Sequence, residues 1–491
     1  MGLYLYIKNL QNQSRVSCIY IFLQTKNFMK NIFLYIFFIT TFFTQLSGQN
    51  IIGQWHGILK VPGQSLRLSL HIHKNDSGYT AALFSLDQSG VEMPVTEITF
   101  DNSKLKFNIK KNDIKYFGTL NNDTIQGLFQ QSGATFPLFF QREEWQRPQE
   151  PKKPYPYYED EVWFTNPVTP EITLAGTLTL PKLEGIFPAV ILVSGSGAQN
   201  RDSEVFGHKI FLVISDYLTR NGFAVLRYDD RGTAASTGIH DTCSTYDFSL
   251  DAEAAFKYLQ NRKEINSKQI GFIGHSEGGM IASLVAARNK EVASIILLAA
   301  PGIKGDSLLL LQAKIEAKSV YGSNEKELER VLNNRRRQDS IILYTADAKQ
   351  MEMLLTDFFK TIIEKESSKT TTQEEKDEIV KQFVKTATGK YYQYLLKYDP
   401  ALALAHVQCP VLALNGENDV QVPADENLNA IQTVLLKAEN ADVTVKKIPK
   451  LNHLFQTSET GSVSEYALIK ETFSQEVLEI LLHWLNVKYK L

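Results

Sequence analysis

At 491 residues the chain exceeds one ordinary domain, and two or three folded units are expected. Its 43% hydrophobic and 22% charged residues, with a net charge of −2, are those of a globular protein. They lack the basic excess that draws nucleic acid or an anionic surface, so neither is expected as a partner. Three cysteines, Cys18, Cys243 and Cys409, form no CxxC pair and no metal-ligand spacing; a Cys243–Cys409 disulfide is conceivable but has no support in the spacing.

In chain order, the first feature is Met29-Lys30-Asn31, which opens a strongly apolar run over residues 32–43 that ends at Gln45-Leu46-Ser47-Gly48-Gln49. A basic start, an apolar core and small residues before a polar stretch have the form of a signal peptide. The run is shorter than the roughly 20 residues of a membrane span. Residues 1–48 are therefore expected to be an N-terminal extension and signal peptide, with translation starting at Met29. The protein is expected to be exported, periplasmic or extracellular, with no stable membrane span after cleavage. An anchor aided by the apolar patch at 18–23 is the alternative. No cysteine lies at the cleavage point, so lipid attachment there is not expected.

Residues 49–145 have the rhythm of a small antiparallel β domain. Leu66, Leu68, Leu70 and Ile72 alternate with Arg67, Ser69, His71 and His73, a period of two with one face expected to be wet. Leu105, Phe107 and Ile109 repeat it, and Asn75-Asp76-Ser77-Gly78 and Asn121-Asn122-Asp123 supply turns. The expected form is a partly closed barrel or a sandwich. His71 and His73 are expected on the solvated face, because no third metal ligand accompanies them. Trp55 is expected in the core.

Residues 146–160 are proline-rich and charged and have the composition of a linker. From 161 to 491 the pattern changes. Apolar runs at 189–193, 224–228, 270–273, 294–299 and 411–414 do not alternate, and helical stretches such as 210–220 and 250–261 separate them. That pattern predicts an α/β architecture, a mainly parallel sheet with helices on both faces. Between about 302 and 397 helix formers and charge replace strand signals, predicting a helical cap insertion at the carboxyl edge of the sheet.

The chemistry centres on Gly274-His275-Ser276-Glu277-Gly278, which follows one apolar run and precedes the helix-compatible residues 280–288. Strand, tight glycine-flanked turn and helix make a nucleophile elbow, with Ser276 presented at a positive helix N-terminus. A serine hydroxyl is a weak nucleophile and needs a base, itself oriented by an acid. The chain order for an elbow is serine, acid, histidine. Two histidines follow the run at 411–414. His483 lies in an apolar-periodic terminal helix and is expected to pack there, which leaves His453, in a turn-like segment, as the base. Of the acids after that run (Glu417, Asp419 and Asp425), Asp419 is best placed for the triad and Asp425 is the natural cap of the next helix. The oxyanion is expected to be held by the Glu277 N–H and by one from the loop Ser194–Asp202, with Ser196 the first choice and Gly197 the alternative. A phosphate-binding reading of that loop fails for want of a following Gly-Lys-[Ser/Thr].

Together the segments Ser194–Asp202, Arg227–Gly232, Gly274–Gly279, Gly416–Asp419 with Val422-Pro423, and Leu451–Gln456 resemble the α/β-hydrolases over about residues 162–491. More narrowly, they resemble bacterial serine esterases of the EstD-like group, related to the serine aminopeptidase and prolyl-oligopeptidase-like hydrolases. The resemblance implies a carboxylesterase needing no cofactor or metal and acting on a small-molecule ester, with acylated carbohydrates among the candidates. It also implies that Asp229 and Arg231 brace the site without reacting. Thr233-Ala234-Ala235-Ser236 departs from the group's Arg-Gly-x-Gly-x-Ser, so that turn is expected to differ. Two other readings stand beside this one. One is a serine exopeptidase on the same fold, although the β domain is too short for a gating propeller and the tyrosine usual after the serine is absent. The other is a non-catalytic glycan- or partner-binding protein.

Overall fold

A computed structural model describes residues 50–61, 64–76, 78–87, 92–142, 147–367 and 372–490. The expected signal peptide and its cleavage point lie outside the described residues. Among the described residues no helix is long and apolar enough to cross a membrane. The chain divides between Glu144 and Trp145 into two compact units.

The first unit is a sheet of nine strands: β1 (Gly53–Val61), β2 (Gln64–Asn75), β3 (Gly78–Ser85), β4 (Glu92–Pro94), β5 (Glu97–Asp101), β6 (Lys104–Ile109), β7 (Ile114–Asn121), β8 (Thr124–Gln131) and β9 (Ala134–Gln141). Their order is β4-β3-β2-β1-β9-β8-β7-β6-β5. The two edge strands, β4 and β5, are joined only by Val95 and Thr96. The N–H of Val95 reaches Ala81 O at 2.9 Å and that of Thr96 reaches Asn108 O at 2.8 Å. So short a joint forces the sheet to curl until its edges approach. Alternate residues, among them Leu68, Leu70, Ile72, Leu105, Phe107, Tyr116 and the fully buried Trp55, fill the interior.

The other face of β2 departs from expectation. Arg67 and Ser69 are buried, not wet. The Arg67 charge is compensated by Asp87, 2.9 Å away, whose carboxylate also accepts the Arg67 backbone N–H. His71 is half-buried, bonded to Ser69 Oγ at 2.9 Å and set against the Phe84 ring. Only His73 is exposed as read.

The second unit has an eight-stranded sheet. Its strands are β10 (Tyr158–Thr165), β11 (Thr173–Leu180), β12 (Phe187–Val193), β15 (Ala224–Tyr228), β16 (Ile265–His275), β17 (Ser294–Leu298), β18 (Val411–Gly416) and β19 (Val443–Ile448). A short hairpin, β13 (Glu204–Val205) and β14 (His208–Lys209), stands apart. The order is β10-β11-β15-β12-β16-β17-β18-β19. Pairing is antiparallel from β10 to β15 and parallel from β15 to β19. The strand order reverses around β12, so the crevice at the carboxyl ends of β12 and β16 is where an open α/β sheet binds ligands.

Strand residues alternate between two apolar layers. Ile191, Val193, Phe272 and Leu297 pack under helices Thr245–Gln260, Glu277–Arg288 and Ala424–Lys437. Leu192, Ile273, Ile296 and Leu298 pack under Ile210–Arg220 and Gln475–Tyr489. On the latter helix His483 is exposed, which corrects the expectation that it packs; Trp484 and Leu485 carry the buried face instead.

Between β17 and β18 run helices Gly305–Tyr321, Glu325–Tyr344, Ala348–Glu366, Gln373–Thr388, Lys390–Lys397 and Pro400–Leu404. The proline-rich stretch is tied to this second unit, unlike a free spacer. Arg147 donates to the Ile469 and Ala467 carbonyls, Gln149 to Phe473 O, and the Tyr157 hydroxyl to Asp216. Cys243 and Cys409 are both free thiols, so the conceivable disulfide is absent.

Candidate active site

Ser276 sits at the junction of β16 and helix Glu277–Arg288 with φ +55 and ψ −118. That is a costly conformation for a residue with a side chain, held in place by close packing on either side. A Cβ on Gly274 would lie 2.1 Å from Gly278 O, and one on Gly278 would lie 2.1 Å from Val193 O. The turn is closed by Ser276 N–H to Leu298 O at 2.8 Å and Gly279 N–H to Ser276 O at 3.0 Å. Although Ser276 is the N-cap residue, its hydroxyl makes no capping bond. The side chain is half-buried, so a substrate atom can reach it.

Asp419 leaves the end of β18 and is buried. One carboxylate oxygen accepts the N–H groups of Gln421 and Val422, both at 2.8 Å. The other meets His453 Nδ1 at 2.7 Å. A carboxylate can only accept, so the proton of this bond sits on Nδ1 and leaves Nε2 as an acceptor. Glu417 is exposed. Asp425 pairs with Lys447 at 2.8 Å. It lies in the first turn of its helix, and the N-cap position is Pro423 with no side-chain bond, so the expectation that Asp425 caps the helix is corrected.

The loop carrying His453 is fixed by polar side chains. Asn452, fully buried, accepts the N–H groups of Leu454 and Gln456 and donates to Gln456 Oε1. A Cβ on Gly416 would lie 2.2 Å from Leu451 O, so only glycine lets the loop close on β18. His275 Nε2 donates to His453 O at 2.9 Å, and the two rings are 4.9 Å apart. The residue next to Ser276 thus anchors the histidine loop. Burial pushes the His275 imidazole down to about 3, so it stays neutral near pH 7.

The loop after β12 approaches from the other side. A Cβ on Gly195 would lie 3.2 Å from Ser276 Cβ. Asp230 braces this loop, accepting from the Ser194 hydroxyl at 2.7 Å and the Gln199 N–H at 2.9 Å; its enclosure pushes the carboxyl up to about 7. Asp229 holds the next stretch through Arg201, and Arg231 is paired with buried Asp251 at 2.6 Å. The departing turn at 233–236 is closed by Ser236, whose hydroxyl donates to Asp229 O and accepts from the Ala175 N–H. Ser194, Gly195, Gly197, Asp230 and Glu277 line a narrow cleft. Glu277 is buried, and burial raises its carboxyl above the usual range; Thr245 Oγ1 and the Tyr391 hydroxyl both donate to it.

Tyr391, Thr245, Asn452 and Asp230 were not singled out by the sequence. Asn452 and Asp230 stand beside residues that were, whereas Tyr391 and Thr245 are brought in only by tertiary packing. Among the described residues no group of three or more His, Cys, Asp or Glu side chains is arranged to hold a metal ion.

Residues 188–460 match the alpha/beta hydrolase fold family. The chain belongs to that family. Esterase EstD of Thermotoga maritima is 26% identical over 314 residues, covering 64% of this chain and 65% of the relative, slightly under two thirds of its length. Among solved structures, this α/β-hydrolase is similar to the Pyrococcus furiosus esterase Pf2001, at 16% identity and a TM-score of 0.39, over 67% of this chain and 92% of that one. It is also similar to the α/β-hydrolase GrgF from Penicillium sp. sh18, at 19% identity and a TM-score of 0.40, over 68% of this chain and all of that one.

Proposed function

We propose that this α/β-hydrolase is an exported serine hydrolase that cleaves small carboxylic esters through Ser276, His453 and Asp419. The observation that carries the reading is the 2.7 Å bond between Asp419 and His453, on a loop bonded at its backbone to His275, the neighbour of Ser276. The partial match to an esterase supports the choice of esters.

In this mechanism His453 Nε2 takes the proton of Ser276 Oγ as it attacks the acyl carbon. The imidazolium that forms is stabilised and oriented by Asp419. Ser196 and Glu277 N–H groups hold the oxyanion, an interaction for which one lost donor costs about 10²–10³ in rate. Collapse of the tetrahedral intermediate expels the alcohol, which takes its proton from His453. Water, deprotonated by His453, then releases the acid from the acyl-enzyme and restores Ser276.

The helices from Gly305 to Lys397 act as a cap that shapes the pocket. The β domain, the strap at 146–160 and the hydrolase unit from 161 are the functional divisions of the chain, and the signal peptide that starts at Met29 directs its export.

Turnover of p-nitrophenyl esters compared with amino-acid p-nitroanilides tests the reaction class. Ester turnover is expected to dominate. Dominant anilide turnover would move the reading to an exopeptidase.

A further inference from the structure

One side chain of the helical insertion reaches the loop and helix assigned above to the oxyanion. Tyr391, the second residue of helix Lys390–Lys397, has its hydroxyl 2.8 Å from Ser196 Oγ and 2.8 Å from Glu277 Oε2. These are the two residues whose backbone N–H groups are proposed to hold the oxyanion. A phenol has one proton to give and lone pairs to receive, and Ser196 can donate or accept, so one hydroxyl can bond both residues at once. The other Glu277 oxygen is taken by Thr245 Oγ1 at 2.7 Å, which fixes the carboxyl from both sides. Burial raises the Tyr391 pKa far above neutrality, so the phenol stays protonated.

The mount is firm on the side of the insertion and weak on the side of the loop. Helix Lys390–Lys397 lies so close to Gly305 that a Cβ there would come within 1.7 Å of Leu395 O. Gly305 N–H donates to Tyr398 O at 2.8 Å, Gln338 donates to the Tyr392 hydroxyl at 2.8 Å, and Lys390 pairs with Asp247 at 2.7 Å. Ser196, in contrast, stands between Gly195 and Gly197, the latter at φ +91. Asp230 fastens the loop at Ser194 and Gln199, and Gln199 Nε2 reaches Ser196 O at 3.2 Å. Backbone freedom is therefore greatest at the residue whose N–H needs the tightest placement.

We propose that Tyr391 is a positioning residue that sets the oxyanion hole, its hydroxyl clamping the Ser196 loop to the start of the nucleophile helix. This rests on the ester-hydrolase reading above and adds to it a link between insertion and chemistry. Removing the hydroxyl misplaces a donor for the transition state and leaves ground-state binding intact, so kcat falls while KM holds.

The test uses the full chain and the variants Tyr391→Phe, Ser196→Ala, their double variant and Ser276→Ala. Four quantities are measured: kcat, KM for p-nitrophenyl acetate, affinity for a trifluoromethyl ketone that forms a tetrahedral adduct, and the thermal midpoint. Tyr391→Phe is expected to lower kcat about 10-fold, a fraction of the ~10²–10³ lost with a whole donor. KM should stay within about twofold, and ketone affinity should fall in step with kcat/KM. Ser196→Ala keeps its backbone N–H and removes the hydroxyl that bonds both Tyr391 and Glu277. It should lose at least as much as Tyr391→Phe, and the double variant should lose no more than Ser196→Ala alone. Unchanged kcat in both single variants, a rise in KM alone, or losses that multiply in the double variant would overturn the proposal. If Ser276→Ala abolishes turnover while Tyr391→Phe is unaffected, only the role of Tyr391 fails. If Ser276→Ala keeps turnover, the ester-hydrolase reading fails with it.

Discussion

Ser276 is held by crowding of the backbone, whereas His453 is held by a mesh of side-chain hydrogen bonds. Around the serine, Gly274 and Gly278 have no room for a methyl group, and Ser276 is held at a positive φ between them. Around the histidine, Asp419 bonds the imidazole and two backbone N–H groups, while Asn452 and Gln456 bond each other and the loop backbone. Steric constraint of the first kind falls on glycines within five consecutive residues, even though Gly278 is crowded by Val193 on the neighbouring strand. Polar constraint of the second kind spans Asp419 to Gln456 and is recognisable only once the chain has folded. The two sides should therefore break differently: a methyl group ruins the first, and the second loses function as its hydrogen bonds are removed one at a time.

The largest effect is expected from Gly278→Ala. Its Cβ would sit 2.1 Å from Val193 O and 2.7 Å from Ser194 O, both backbone atoms that cannot yield cheaply. Overpacking of this kind costs about 3 kcal/mol, and thermal denaturation and ester turnover should both collapse. A stable, active variant would break the steric half of the comparison.

Next comes Asp419→Asn, which keeps the shape but can donate where a carboxylate only accepts. It disfavours the Nδ1–H tautomer of His453, and kcat should fall about 10⁴-fold with the fold intact by circular dichroism. A loss of tenfold or less would show that Asp419 is not the orienting acid.

Asn452→Ala is a graded test of the mesh. It strands the N–H groups of Leu454 and Gln456, which should cost about 1–3 kcal/mol in stability and lower kcat about 10-fold by loosening the histidine loop. Normal kcat at reduced stability would mean that the mesh supports the fold and not the base.

The smallest effect is a slope. The folded His275 imidazole is pushed down to about 3, while the unfolded residue titrates near 6.5. Between these values the unfolded chain binds a proton that the folded chain refuses, so stability present above pH 6.5 is lost as pH falls toward 3. Denaturant titrations of wild type and His275→Asn across that window should give a shallower pH dependence for the variant. Parallel curves would contradict a neutral, buried His275.

The same contrast explains how much could be read from the sequence. The Ser276 turn is legible because its glycines and its flanking strand and helix are contiguous. His453 emerges through chain order, since only His453 and His483 follow β18, and Asp419 emerges because it stands just beyond the glycine turn at the end of that strand. Tyr391 was illegible: it lies in a run of tyrosines whose periodicity resembles any helix surface, and its partners Ser196 and Glu277 are more than a hundred residues away. In the β unit the alternation of β2 identified the inner face correctly, because apolar side chains at every second position have one place to go. It misjudged Arg67, whose burial depends on Asp87 across a turn, a partner that periodicity does not reveal. His483 shows the opposite error, an apolar neighbourhood in sequence with an exposed position on the helix.

We propose that Ser276 is the nucleophile and that His453 activates it. The most direct measurement is to label the full chain with an active-serine fluorophosphonate and locate the adduct by peptide mass spectrometry, alongside His453→Ala and Ser276→Ala. A single adduct on Ser276, strongly reduced in His453→Ala and absent in Ser276→Ala together with ester turnover, is the predicted result. An adduct on another serine, or undiminished labelling and turnover in Ser276→Ala, would contradict the account.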